Sequence, residues 1–558
     1  MLCPEHPERL EETMPNNDLY ICREYAEAVF RRTTKPIAPP GFEPDWADGP
    51  SLYKIYQEVE RLSLPAVDTT KLLSLAELAQ RITQPAATCQ EPRRLLSMQE
   101  LALLLAFAHG VIGRHSKISP NAGLRSAIAG SYARGTASGG GLYPAEIYWA
   151  SGAGGAVTPG LYHYDNAHQS LARLLTGDVT AQIQQALCAD TPVQQTNQFL
   201  FITLNFWKNA FKYNNFSYHA ITHDVGALLC SLWFLATGLH IDWQPVLWYQ
   251  DRALNTLLDL QEDEEGVFAV IPLPAPESFS QAALPSTPTT AQVKKNSWQR
   301  SQRVLTFPMN TETHPHTMIT DQARPLATER PRQVVDEDER IRLPEPLTER
   351  LQMDLLESFR QRHSNFGTFS NHTPLTQAEL ATLLHAGALA RYQKTDTLPD
   401  VLADSYTQLL VLSNRVEGLD QGIYAYEACQ HSLRHISSRE QEQEMGEMGL
   451  FLQQHYNLPN YSLSEVAAVV AIAGDLELML RTYGNRGYRL LNAESGLIAQ
   501  SIYLFSAALG TGCGAALGFD NLALNTALGF AGTTQKSLLF LLVGHDQASQ
   551  AHLTYHLF

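Results

Sequence analysis

The stretch Ser495 to Phe519 carries no charged side chain and is long enough to span a bilayer. Gln500, Ser501 and Ser506 interrupt it, and the glycines from Gly510 to Gly514 would stop a helix before it crossed. The pattern therefore predicts a buried core helix followed by a loop. LSMQELALLL at Leu96 and LTQAELATLL at Leu375 have the spacing of amphipathic helices. GLYHYDNAHQSL (Gly160 to Leu171) and GIYAYEACQHSL (Gly422 to Leu433) read as β-hairpins. Ser537 to Val543, SLLFLLV, is a continuous apolar run of central-strand length.

These patterns come in pairs, which suggests an internal repeat. Tyr213 to Leu260 aligns without a gap on Tyr483 to Phe530. Tyr213 matches Tyr483, Asn215 matches Asn485, Tyr218 matches Tyr488 and Gly226 matches Gly496. The run Ala253-Leu254-Asn255-Thr256 recurs as Ala523-Leu524-Asn525-Thr526. Each half is expected to run amphipathic helix, hairpin, long apolar helix, loop, short helix and final strand, an α+β unit. Two such units in one chain invite a pseudo-twofold arrangement, the covalent analogue of an isologous dimer.

Between the halves, residues 272–345 are rich in Pro, Thr, Ser and charges, as a linker or surface-wrapping segment would be. The expected organisation is an N-terminal extension and lead-in at 1–85, a first domain at 86–271, the linker, and a second domain at 346–558. A chain of 558 residues exceeds what one core supports, which agrees with two large domains. The 40 Lys and Arg against 57 Asp and Glu, net charge -17, argue against nucleic acid and anionic membranes as partners. The first residues, MLCPEHPERLEE, lack the basic flank and apolar core of a secretory signal, so a cytoplasmic location is expected. Seven scattered cysteines without CxxC or HExxH spacing suggest neither a disulfide framework nor a metal site.

RGTASGGGLYPAEIYW (Arg134 to Trp149) and the segment Tyr483 to Asp520 together resemble the nitroreductase-like flavoprotein family. Within it the SagB-type dehydrogenase branch, which includes azoline oxidases, is the nearest in pattern, and PPGFEPDWADGPSLYKIYQEVERLSLP is similar to the lead-in of that branch. The resemblance implies two nitroreductase-like domains forming an intrachain pseudo-dimer with FMN at the domain interface. One partner would supply a phosphate-binding Arg/Ser segment, a GF loop after the long helix and a basic residue after the last strand. The other would supply the glycine loop and the start of its long helix.

On that pattern the halves have lost complementary parts. Arg360, Arg362 and Ser364 stand at the family's phosphate position in the second half, where phosphate needs cationic, bidentate donors. EPRRLLS in the first half is too short to carry the segment, so Arg93 and Arg94 are not taken as equivalent. Gly512, Gly514, Leu517 and Gly518 form the second-half loop, with glycines where a ring needs close backbone approach. Asp242, Gln244 and Trp248 replace the glycines in the first half. Conversely, Ser138, Gly139, Gly140, Gly141 and Leu142 stand in the first half, while their counterparts in Asp400 to Tyr406 contain no glycine. His545 occupies a place where the family often has Arg or Lys. One composite site thus keeps its parts, and one FMN per chain is expected.

Lys212 and Tyr213 match a Lys-Tyr pair of the azoline oxidases and are the candidate catalytic residues, the bland alternative being a snorkelling lysine beside a packed tyrosine. His223 and Asp224 either face the flavin or cap the long helix. The activity implied is an FMN-dependent dehydrogenase or oxidase acting on a heterocycle or peptide-derived intermediate, with a small-molecule or peptide substrate and a biosynthetic enzyme as possible partner. The alternatives are an NAD(P)H-dependent nitro, quinone or enone reductase, and a flavin-binding scaffold that recruits a partner.

Overall fold

The computed structural model describes residues 20–84, 94–118, 128–187, 195–274, 291–293, 295–320, 323–326, 340–365, 367–397, 406–547 and 552–558. The first residues, Arg93 and most of the Asp400 to Tyr406 segment lie outside them.

The chain enters through helix α1 (Tyr20–Phe30) and helix α2 (Met98–Ala108). Ser97 and Glu100 close a capping box at the start of α2, and the helix buries all eight residues from Leu101 to Ala108. The first sheet follows with β1 (Ala145–Ser151), β2 (Gly160–Asp165), β3 (Ser170–Thr176) and β4 (Gln198–Asn205). Then come α3 (Trp207–Tyr213), the long α4 (Ser217–Gly238), α5 (Asp251–Leu258) and β5 (Glu265–Pro272). Its main strands run β3-β2-β1-β4-β5, all antiparallel.

After α6 (Pro308–His316), the second half has α7 (Leu355–Gln361), α8 (Gln377–Leu389), β6 (Thr407–Ser413), β7 (Gly422–Glu427), β8 (Ser432–His435) and β9 (Ala468–Asp475). It continues with α9 (Leu476–Tyr483), the long α10 (Arg486–Leu509), β10 (Gly512–Ala516), α11 (Asn521–Ala527) and β11 (Gln535–Gly544). The strand order β8-β7-β6-β9-β11, with β10 beyond, is that of the first sheet, again antiparallel.

The expected element order therefore holds in both halves, with two differences. Glycines 512 and 514, taken for part of a loop, lie in strand β10, which pairs with β11 from Gly512 to Ala516. At the matching place in the first half only one bridge forms, Val246 to Val270. The segment 272–345 is also more than a connector. Ala291–Gln292 extends β3, Asn296–Trp298 pairs with Ile55–Gln57, and Arg340–Arg342 pairs with β8. Its helix α6 has no apolar stripe to betray it. It is anchored by polar contacts, Asn310 donating to the Asn214 carbonyl at 2.9 Å and to Ser217 Oγ at 2.8 Å.

The halves meet along α4 and α10, each of which is buried over almost its whole length. The run Trp207–Gly238 has the length and composition of a membrane span, yet 94% of its most apolar window is packed inside the protein. The contact is reciprocal. A Cβ added to Gly226 would collide with the Ala493 carbonyl, and one added to Gly496 with the His223 carbonyl. Gly226 aligns with Gly496 and His223 with Ala493, so the helices cross at the same pair of positions seen from either side. Glycine is required here by backbone-to-backbone approach. A second tie lies elsewhere: the strand His552–His556 pairs antiparallel with Gly113–Ile118 of the first half.

Candidate functional site

The glycine loop of the first half and the arginine segment of the second are brought together. Arg362, 6% exposed, follows α7 and donates from Nη2 to the Arg134 carbonyl at 3.0 Å. Gln500, fully buried in the middle of α10, donates to the Gly135 carbonyl at 3.1 Å and accepts from the Ala137 N–H at 3.0 Å. Gly135 itself packs against Phe359 of α7 so closely that a Cβ would clash. Two elements of the second half, α7 with its cap and α10, thus hold the stem of a loop that belongs to the first.

The loop is pinned from its own side by Asp224. This carboxylate, in the second turn of α4, accepts from Ser138 Oγ at 2.6 Å and from the Gly139 N–H at 2.8 Å. Burial pushes its pKa up to about 7, against the opposing pull of those two donors. Asp224 is therefore an anchor for the loop and does not cap the helix. Asn209 of α3 donates to the Gly139 carbonyl at 3.1 Å. Gly140 and Gly141 both have φ of +68°. Around Gly140 there is no room for a Cβ, because the Tyr213 hydroxyl would lie 2.5 Å from it, whereas beside Gly141 nothing lies within 4 Å. Tyr213 thus packs on the glycine loop, and the Lys212 ammonium lies 4.9 Å from the Tyr213 ring centroid. Lys212 is half-buried and has no ion pair with a described residue. Leu142 closes the short 3-10 turn at Gly139–Gly141. His223 donates to the His219 carbonyl at 2.7 Å, which leaves its Nε2 buried and without a partner among the described residues; burial lowers its pKa to about 4.

On the other side, Ser364 donates to the Tyr503 hydroxyl at 3.1 Å, and the same hydroxyl accepts from the Ala515 N–H at 2.6 Å. Arg362 lies over the Tyr503 ring at 5.7 Å. The segment after α7 is thereby tied to both α10 and β10. Gly512 and Gly514 are glycines for a reason the sequence pattern did not suggest. A Cβ at Gly512 would strike the Asp546 carboxylate, and one at Gly514 would sit 2.6 Å from the Asn365 carbonyl and the Tyr461 hydroxyl. Gly518 is similarly closed in by Tyr456 and Leu458. At all three positions the Cβ direction is taken by protein neighbours. Leu517 presents its carbonyl to Arg32.

Two of the expected phosphate contacts are engaged elsewhere. Arg360 donates to the Phe558 carbonyl at 3.0 Å, pairs with Glu357 at 3.1 Å and lies over the Phe107 ring. His545 is 3.2 Å from Glu379. Although burial opposes it, hydrogen bonds from His545, Thr376 and Arg350 hold that carboxyl down at about 2. Arg94 is exposed and paired with Glu100. Arg362 differs: its Nε is buried and has no partner among the described residues. Such an orphan donor, charged and beside Ser364, has the chemistry of a group awaiting an anionic oxygen.

Gln500, Tyr503, Asn209 and Arg32 were absent from the residues singled out by sequence as forming the site. Only Gln500 left a trace, as a polar interruption in an apolar run.

The model of the nitroreductase family matches residues 360–545. A protein of Methanocaldococcus jannaschii described as a nitroreductase is 31% identical over 145 residues, which is 25% of this chain and 67% of that protein. The chain belongs to the nitroreductase family. Among solved structures, one described as a nitroreductase from Anabaena variabilis superposes on 94% of this chain and 99% of its own, with a TM-score of 0.69 and 24% identity. The mixed α/β fold is thus shared over nearly the full length, both sheets included. A nitroreductase with bound FMN from Desulfitobacterium hafniense is far more distant, covering 35% of this chain and 91% of its own at a TM-score of 0.21 and 17% identity.

Proposed function

We propose that the chain is an FMN-dependent oxidoreductase whose halves are copies of one unit, arranged as an intrachain pseudo-dimer with a single composite flavin site. The observation that carries this is the convergence of the first-half glycine loop and the second-half arginine segment through Arg362, Arg134 and Gln500. The residues present fit the cofactor: Arg362 Nε supplies an unpartnered buried donor for phosphate, and the space beside Gly141 is open. Arg362 and Ser364 would hold the phosphate, and the loop Ser138 to Leu142, anchored by Asp224, would lie along the ring. When bound, FMN supplies two-electron redox chemistry.

This chain's own groups would then handle the substrate and its protons. Lys212 and Tyr213, set against Gly140, are the pair we assign to proton transfer. Lys212 acts as the base, and Tyr213 orients the substrate by hydrogen bonding. Such a base suits oxidation of a C–N or C–C bond in a heterocycle or peptide-derived intermediate, of the azoline-to-azole kind.

The test is flavin stoichiometry and spectrum. Protein saturated with FMN should hold one flavin per chain. Two per chain would overturn the single composite site, and protein that remains colourless with FMN would overturn the flavin assignment.

A further inference from the structure

The Leu517–Phe519 loop is held by a guanidinium that belongs to neither sheet. Arg32, just beyond α1, donates from Nη2 to the Leu517 carbonyl and, at 3.2 Å, to the Phe519 carbonyl. Its Nη1 donates to Asn521 Oδ1 at 2.6 Å and to the Val29 carbonyl at 2.7 Å, and its plane lies 4.9 Å from the Phe216 ring centroid.

At the matching place in the other half the same clamp is built from different chain. Arg486 donates from Nε and Nη2 to the Leu247 carbonyl at 3.0 and 2.7 Å. Its Nη1 donates to Asp251 at 2.7 Å and to the Thr317 carbonyl, just past α6, at 3.3 Å. In the gap-free alignment Leu247 matches Leu517, Asp251 matches Asn521, and Arg486 itself matches Phe216. The position that carries the clamping arginine on one side is thus a phenylalanine on the other, and there Arg32 lies over that phenylalanine and makes the contacts. The two helices behind the clamps also correspond. The Cys22 N–H of α1 donates to Asn485 Oδ1 at 3.1 Å, and the Met309 N–H of α6 donates to Asn215 Oδ1 at 2.9 Å, Asn215 and Asn485 being aligned.

We propose that Arg32 is a positioning residue of the flavin site, carried on α1, which replaces the guanidinium missing at Phe216 and fixes the Leu517–Phe519 backbone where the cofactor's loop must stand. This rests on the composite-site reading. A forked guanidinium can hold the loop carbonyl and the Asn521 side chain at once, whereas an ammonium on a flexible stem reaches one of them well.

The experiment titrates apo protein with FMN, following flavin fluorescence and the visible circular dichroism of the bound ring, for wild type, R31A, R32A and R32K. Arg31, exposed and paired with Glu27 of α1, is the neighbouring control. Loss of charged hydrogen bonds at the loop should raise the FMN Kd of R32A by about tenfold or more and alter the dichroism. R32K should fall between R32A and wild type, and R31A should match wild type. If R32A does not fold, R32K decides. An R32K Kd and dichroism equal to wild type overturn the proposal, as does an R32A protein that melts earlier yet binds FMN unchanged. Wild type that takes up no FMN overturns the composite-site reading itself, and this inference with it.

Discussion

Gln500 offers a test of the inter-half junction that needs no cofactor. Replacing it with Met keeps an unbranched side chain of similar volume, so little cavity forms. What is lost is the pair of bonds to the Gly135 carbonyl and the Ala137 N–H, neither of which has another backbone partner among the described residues. An orphaned buried polar group costs about 1–3 kcal/mol, so two cost about 2–6 kcal/mol. Ala137 is partly exposed and water recovers some of that, which leaves about 2–4 kcal/mol. Against a native stability of about 5–15 kcal/mol, that loss is large. Urea unfolding followed by fluorescence should show a lower midpoint with little change in slope. Q500E adds a signature that a packing defect lacks. Protonated Glu restores a donor to Gly135, while ionised Glu buries a charge, so this variant should regain stability relative to wild type as pH falls. A Q500M cost below about 0.5 kcal/mol, the range of an ordinary surface change, would refute the claim that this glutamine ties the halves.

Arg362→Ala should weaken FMN binding by about 1.5–3 kcal/mol in a fluorescence titration, while Arg94→Ala should leave it unchanged; equal effects would reverse the assignment of the halves. Lys212→Ala should keep fold and flavin content but lower substrate oxidation by about 10²–10⁴-fold, with reoxidation of the dithionite-reduced protein unaffected. Full oxidation by that variant would remove Lys212 from catalysis. For Asp224 the pH dependence has a definite sign. Its folded pKa, about 7, lies above the 3.8 of an unperturbed aspartate, so the folded state holds more protons between the two and stability falls as pH rises through that window. The melting temperature of Asp224→Asn minus that of wild type should therefore grow from about pH 4 to about pH 7 and level off above it. A difference that does not move with pH would mean that the carboxyl is not held neutral.

The element order was legible because most helices and strands of the two halves carry their own apolar pattern; Gly226 and Gly496 stood out as an aligned pair, but that the helices touch there comes from the structure. Helix α6 was not, since its anchors are Asn310 and the Met309 N–H and not an apolar face. Strand β10 was taken for a loop because Gly512 and Gly514 depress any strand signal; their small size answers to Asp546, Asn365 and Tyr461, which only tertiary structure brings near. At the site, the RQRHS motif offered Arg360 and Arg362 together, and sequence alone could not tell their surroundings apart. Helix α7 ends at Gln361, so Arg360 lies in its last turn and Arg362 caps it, and the two guanidinium groups go to different partners. Arg32 left no local sign at all, because its acceptors lie 485 and 487 residues along the chain.

The pairing of His552–His556 with Gly113–Ile118 bears on how long the two halves stay together. Five consecutive residues are in register, and the Leu557 N–H adds a bond to the Ile112 carbonyl at 2.9 Å. Parting the halves would mean peeling a strand from the sheet it completes while prising α4 from α10, which is an unfolding event and not a dissociation. The lifetime of the pair is then governed by an unfolding barrier, which rises or falls with the stability of that small sheet and does not depend on protein concentration.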